Sequence, residues 1–121
     1  MDDNPRYMID LLAVAETART TGAPGVIWSL ADSADLNVNL VRFVKGDGVE
    51  AHTNTEVDVV CLALAGDGYV IVDGAAENVR AGQLFFLPKG AERAIHAGPT
   101  EFVYLTCHRR RQGIMPTRRG G

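Results

Sequence analysis

Histidines and cysteines, the side chains most often used to move a proton near neutral pH, attack as a nucleophile or hold a transition metal, are few in this 121-residue chain. The three histidines are His52, His96 and His108, and the two cysteines are Cys61 and Cys107. An imidazole titrates near neutral pH, so it serves as a general acid or base or as a metal ligand. A guanidinium such as that of Arg93 binds carboxylate, phosphate or enolate-like oxygens two at a time. Neither cysteine belongs to a CxxC pair, no Ser/His/Asp or Cys/His arrangement has supporting spacing, and no phosphate loop is present. Cys61, inside an apolar run, reads as a small buried hydrophobe rather than a nucleophile. Two cysteines without a disulfide framework fit a reducing, cytoplasmic setting.

Charge is unevenly spread. The net charge is −3, yet the last thirteen residues carry Arg109, Arg110, Arg111, Arg118 and Arg119 and no acid, so the rest of the chain sums to −8. No aromatic residues interleave with these arginines and no nucleic-acid motif precedes them, so residues 109–121 read as a solvated basic tail, not a nucleic-acid arm. The start is acidic and polar, unlike a secretory leader. The longest apolar run, Val57 to Ala65, is interrupted by Asp58 and is too short to span a bilayer, so no membrane partner is expected.

The elements that must position these groups are mostly strands. Met8, Leu11, Leu12 and Ala15 recur at helical spacing, predicting a helix over residues 5–20 with Asn4-Pro5 as its cap, within a leader of residues 1–24. From Gly25 the runs become short and β-like. They are Val26 to Leu30, Leu36 to Lys45, Val57 to Leu64, Tyr69 to Asp73, Glu77 to Arg80, Leu84 to Leu87, Arg93 to Ala97 and Phe102 to Cys107. Leu36 to Phe43 alternates apolar and polar residues, as a half-buried strand does. Turns are predicted at Gly66-Asp67-Gly68, Asp73-Gly74, Pro88-Lys89-Gly90 and Ala97-Gly98-Pro99. Many short strands without intervening helices predict an all-β antiparallel barrel or jelly roll over residues 25–108.

Two glycine-framed stretches make that expectation sharper. Gly46-x5-His52-x-Asn54-x4-Val59-x6-Gly66 resembles the first cupin motif, in which Gly is followed by two histidines, a glutamate and a second Gly. Gly82-x5-Pro88-x-Gly90-x2-Arg93-x3-Ala97 resembles the second, in which a histidine stands where this chain has Arg93. The resemblance implies a single-domain cupin barrel and a homodimer. Of the metal-ligand positions, His52 matches. Asn54 replaces the second histidine, Val59 the glutamate and Arg93 the last histidine. Asp58 supplies a carboxylate only by a one-residue shift, which in a strand points it to the opposite face. A divalent metal normally wants three or four His, Cys or carboxylate ligands, and a cation at one position repels it. The expectation is therefore a pocket without metal or cofactor.

By the same resemblance, His52, Asn54 and Arg93 converge in the barrel, with Val59 and Cys61 on its apolar wall. One titratable group beside a fixed cation suits a small anionic ligand and, if catalytic, an isomerase, cyclase or lyase using His52 and Arg93. Two other readings stand beside it. One is a metal-dependent dioxygenase or isomerase using His52 and Asp58 with a shifted His96; the other is a non-catalytic regulatory or assembly protein. His96 and His108 are expected at the surface or an edge. Arg93 could instead be held by Glu56, Asp58 or Glu92, and Trp28, Phe43, Phe85 or Phe86 could fill the pocket. Val57 to Leu64, apolar on both faces, needs a cover from the helix or a second subunit.

Overall fold

A computed structural model describes residues 7–111. The Asn4-Pro5 cap and the tail arginines Arg118 and Arg119 lie outside the described residues.

The helix α1 (Leu11–Thr21) begins where a side chain can cap it. The Asp10 carboxylate accepts from the Ala13 N–H at 3.0 Å, satisfying one of the unpaired donors at the helix start. Gly22, in the left-handed conformation, ends it. The start at Leu11 rather than near residue 5 changes the buried face. Ala15 and Ala18 are buried and Leu11 and Val14 pack beside them, whereas Met8 and Leu12 are exposed.

Seven strands follow: β1 (Gly25–Ser29), β2 (Leu36–Val44), β3 (Gly48–Thr53), β4 (Val59–Val72), β5 (Ala75–Arg80), β6 (Leu84–Leu87) and β7 (Glu92–Arg109). β3 was not anticipated, because Gly48-Val49-Glu50-Ala51-His52-Thr53 is mostly polar and exposed; it is an edge strand that pairs with β7 alone. Two predicted turns are not turns. Gly66-Asp67-Gly68 lies within β4 and Ala97-Gly98-Pro99 within β7, and each marks a bend in one long strand. Gly66 has φ +68°, and a Cβ there would run into the Glu101 carbonyl, so the two bends touch through bare backbone. The Asp73-Gly74 turn is as predicted, both residues having positive φ, as a tight hairpin between twisted strands requires.

The bends divide the strands between two layers. The second half of β7 lies between β2 and the first half of β4, with β1 and β6 outside them. The first half of β7 lies between β3 and the second half of β4, with β5 beyond. The result is an antiparallel jelly-roll barrel. Its interior holds Val41, Val59, Cys61, Ala63, Phe85, Phe102 and Tyr104 from one layer and Val70, Val79, Ile95 and Ala97 from the other. On the outer face of the first layer, α1 covers Leu40 and Val103, with Trp28, Leu64 and Leu105 beside them. Beyond the helix, Val60, Leu84 and Phe86 stay exposed on that face. No helix among the described residues is long and apolar enough to cross a membrane.

Candidate functional site

Because β4 and β7 each fold back at their bends, both ends of each strand come to the same open end of the barrel. Arg93 opposite Val72, and Cys107 opposite Val60, therefore stand on the two sides of one mouth. The Arg109 Nη2 donates to the Glu56 carbonyl at 3.0 Å and ties the end of β7 to the loop after β3.

Arg93 lies on the interior face, two residues before Ile95, and is only 3% exposed. Its Nη1 donates to the Pro88 and Ala91 carbonyls at 3.3 and 3.4 Å, both long bonds. None of the three carboxylates considered as partners holds it. Glu56 faces Arg111 at 3.9 Å, the Asp58 carboxylate accepts from the Lys89 N–H at 2.8 Å, and Glu92 makes no ion pair among the described residues. Burial, and secondarily the charge of Arg111, disfavour the Arg93 cation, while Cys61 acts weakly the other way. Asn54, 7% exposed, borders the same loop: its carbonyl accepts from the Gly90 N–H at 2.7 Å. Its side-chain oxygen accepts from the Glu56 and Val57 N–H groups, and the buried Nδ2 has no hydrogen-bond partner among the described residues.

His52 stands directly opposite Arg93 across the β3–β7 ladder, at the exposed rim. Its Nδ1 is 2.9 Å from the Glu50 carbonyl, which can only accept, so in the neutral ring Nδ1 carries the proton and Nε2 is free. Val59 and Cys61 are both buried on the interior face. Burial pushes the Cys61 thiol up to about 12, partly offset by Arg93 and with a small upward push from Cys107, so it stays protonated at neutral pH. His96 points outward between Ile95 and Ala97 and stacks on Tyr69 with ring centroids 5.1 Å apart.

The middle of the barrel is filled. Phe43, Phe85, Phe102 and Tyr104 pack with centroid separations of 5.1 to 6.2 Å, so the small wall residues Cys61 and Ala63 do not open a deep pocket. Trp28 lies outside under the helix and Phe86 at the surface. The open volume sits higher, at the mouth. A cavity of about 430 Å³ is lined by Asn37, Asn39, His108, Arg110 and Arg111. His108 is half-buried near the end of β7, opposite Asn37. The first tail arginines are likewise not free: Arg109 ends β7, and the Arg110 Nε donates to the Ser33 carbonyl at 2.8 Å.

Solved structures share this fold. A cupin-2 domain containing protein from Shewanella frigidimarina superposes with a TM-score of 0.67 at 20% identity, covering 85% of this chain and 95% of that one. A cupin protein from Bacteroides fragilis gives 0.64 at 16% identity over 98% and 93% of the two chains. The chain has the cupin fold. The sequence matches no protein-family model. Dimethylsulfoniopropionate lyase DddW from Ruegeria pomeroyi is 32% identical over 65 residues, 54% of this chain but only 42% of that protein.

A cupin commonly holds a metal at the positions that His52, Asn54, Val59 and Arg93 occupy here, and these residues do not fit one. An imidazole, an amide, an alkyl group and a guanidinium supply one good ligand and one repelling charge. With Val59 facing inward, Asp58 faces outward and is held by Lys89, and His96 is turned to Tyr69. No group of three or more His, Cys, Asp or Glu side chains among the described residues could hold a metal ion.

The residues missed in the sequence are Asn37, Asn39, His108, Arg110 and Arg111. The alternation over Leu36 to Phe43 does not say which face is inward. Asn37 and Asn39 share the parity of Val41 and Phe43, both inside, and that parity was the available signal. Leu40, on the other face, is buried instead by α1.

Proposed function

We propose that the cupin barrel binds a small carboxylate at its mouth, with Arg93 as the anion anchor and His52 as acid or base. The carrying observation is the Arg93 guanidinium, buried on the interior face without a carboxylate partner among the described residues. A buried cation in this state is costly until an anion reaches it, so the site favours ligands that bring one. The unpartnered Asn54 Nδ2 supplies a further buried donor beside the same loop.

The chemistry that suits this set is proton transfer next to a carboxylate. His52 Nε2 removes a proton from the carbon bearing the carboxylate, and Arg93 holds the two oxygens on which negative charge then develops. Expulsion of a leaving group from the neighbouring carbon completes a lyase reaction; return of the proton at a different carbon of a conjugated substrate completes an isomerisation. The partial match to a lyase whose named substrate is a propionate supports the former. The apolar outer face at Val60, Leu84 and Phe86 supports a homodimer, read by light scattering.

The test is calorimetric titration of the full chain with propionate and acrylate. Binding is expected in the wild type and lost in Arg93→Gln. His52→Gln should retain binding and lose turnover of a β-substituted propionate. Unchanged binding in Arg93→Gln would remove the anchor from this reading.

A further inference from the structure

Two sets of cations face the barrel mouth, and one has no place in the chemistry above. Arg93 lies at depth. Above it, the cavity walled by Asn37, Asn39, His108, Arg110 and Arg111 is polar on every side. The two sets meet through one pair of loops: Arg111 faces Glu56, the Glu56 N–H donates to the Asn54 side chain, and the Asn54 carbonyl accepts from Gly90, in the turn whose Pro88 and Ala91 carbonyls hold Arg93. The terminal nitrogens of Arg110 make no hydrogen bond among the described residues, only its Nε being held by Ser33. Arg111 has Glu56 at 3.9 Å, too long for a hydrogen bond, and both side chains are about half exposed, so that pairing is weak and easily exchanged. Asn39 Nδ2 donates to the Asn37 side-chain oxygen at 2.7 Å, and Ser29 donates to the Asn39 side-chain oxygen at 2.5 Å. These bonds occupy both amide oxygens and leave the Asn37 amide nitrogen as a donor on the cavity wall. Donors lining one open cavity, no acid among the lining residues, and two arginines side by side in the chain are conditions an anion relieves.

We propose that the ligand is a small dicarboxylate, held at one end by Arg93 and at the other by Arg110 and Arg111 with the Asn37 amide. The proposal rests on the reading of Arg93 as an anion anchor and adds the second point of attachment. Two planar forks at different depths match two carboxylates joined by a short carbon chain better than one tetrahedral anion, which can lie against only one of them. Arg110 and Arg111 thereby set specificity. A monocarboxylate satisfies the inner anchor and leaves the outer pair in repulsion with it.

The experiment titrates the full chain by calorimetry with succinate, with butyrate, which has the same carbon count and one charge fewer, and with inorganic phosphate. The wild type should bind succinate about tenfold or more tighter than butyrate, as a second charge-assisted grip implies. In an Arg110→Gln/Arg111→Gln double variant that ratio should fall to about one. Both side chains are at the surface, and circular dichroism checks that the variant is folded. An unchanged ratio in the double variant, or no preference in the wild type, overturns the proposal. Phosphate binding tighter than succinate, and lost in the double variant, overturns it in favour of a single tetrahedral anion. Arg93→Gln separates the two readings. Butyrate binding that survives it overturns the inner anchor, whereas butyrate binding lost there alongside an unchanged ratio in the double variant leaves the anchor standing and removes only the second point.

Discussion

Arg42 and Arg93 are buried arginines of the same barrel, 6% and 3% exposed, and they are treated in opposite ways. The Arg42 Nε donates to the Glu101 carboxylate at 2.9 Å, and its Nη1 donates to the Ala23 carbonyl at 3.1 Å. Glu101 also binds Arg19 of α1, so one carboxylate joins strand β2, strand β7 and the helix. Arg93 has two long bonds to carbonyls and no carboxylate among the described residues. A buried charge with its partner beside it holds architecture together, while a buried charge without one is available to a ligand. The difference lies in the neighbours and not in the residue type.

Breaking the satisfied pair should give the largest effect. Glu101→Ala leaves Arg42 buried and unpaired, with an expected loss of about 3–5 kcal/mol and a fall in Tm on the order of 10 °C, read by calorimetry. Arg93→Met removes a cation that has no carboxylate partner among the described residues, so stability should hold or rise by about 1–2 kcal/mol while carboxylate binding disappears. A loss as large as that at Glu101 would erase the contrast.

Acid titration sharpens it further. Burial by itself raises the Glu101 pKa, but the hydrogen bonds and charges of Arg19 and Arg42 outweigh it and hold the carboxyl below its ordinary 4.5. A carboxyl whose folded pKa is depressed adds stability above its unfolded pKa and loses it as pH falls through the folded one. The wild type should therefore weaken as pH drops below about 4.5, and Glu101→Gln, already lacking that contribution, should weaken less over the same range. The smallest effect is chemical. A thiol reagent at pH 8 should modify the half-buried Cys107 in the native protein and leave Cys61 until the chain is unfolded, because burial holds Cys61 protonated. Native labelling of both thiols would mean the mouth opens further than the packed interior allows.

Much of the barrel was legible because its signals are local. Glycine and proline spacing, the Asp73-Gly74 turn and the alternation in β2 each depend on a few consecutive residues. That Val59 and Asp58 face opposite ways followed from strand parity, and the structure showed Val59 to be the inward one. Other features were illegible for a physical reason. A bend within a strand and a turn between strands use the same residues, so Gly66-Asp67-Gly68 and Ala97-Gly98-Pro99 read as chain reversals. β3 has no apolar pattern because it is an exposed edge. The cap at Asp10 competes with an equally good signal at Asn4-Pro5, and the contact with Leu40 and Val103 selects the buried face.

The amino-acid sequence by itself determined the barrel and placed His52, Asn54, Val59 and Arg93 within its two glycine-framed stretches, since each follows from residue identity at fixed spacing. Only the tertiary structure decided that Arg93 has no carboxylate partner among the described residues, that aromatic rings fill the barrel's middle, and that Asn37, His108, Arg110 and Arg111 meet at its mouth. Those facts depend on how two long strands bend and bring distant segments together, and pairing across such distances is not written in any local run of residues.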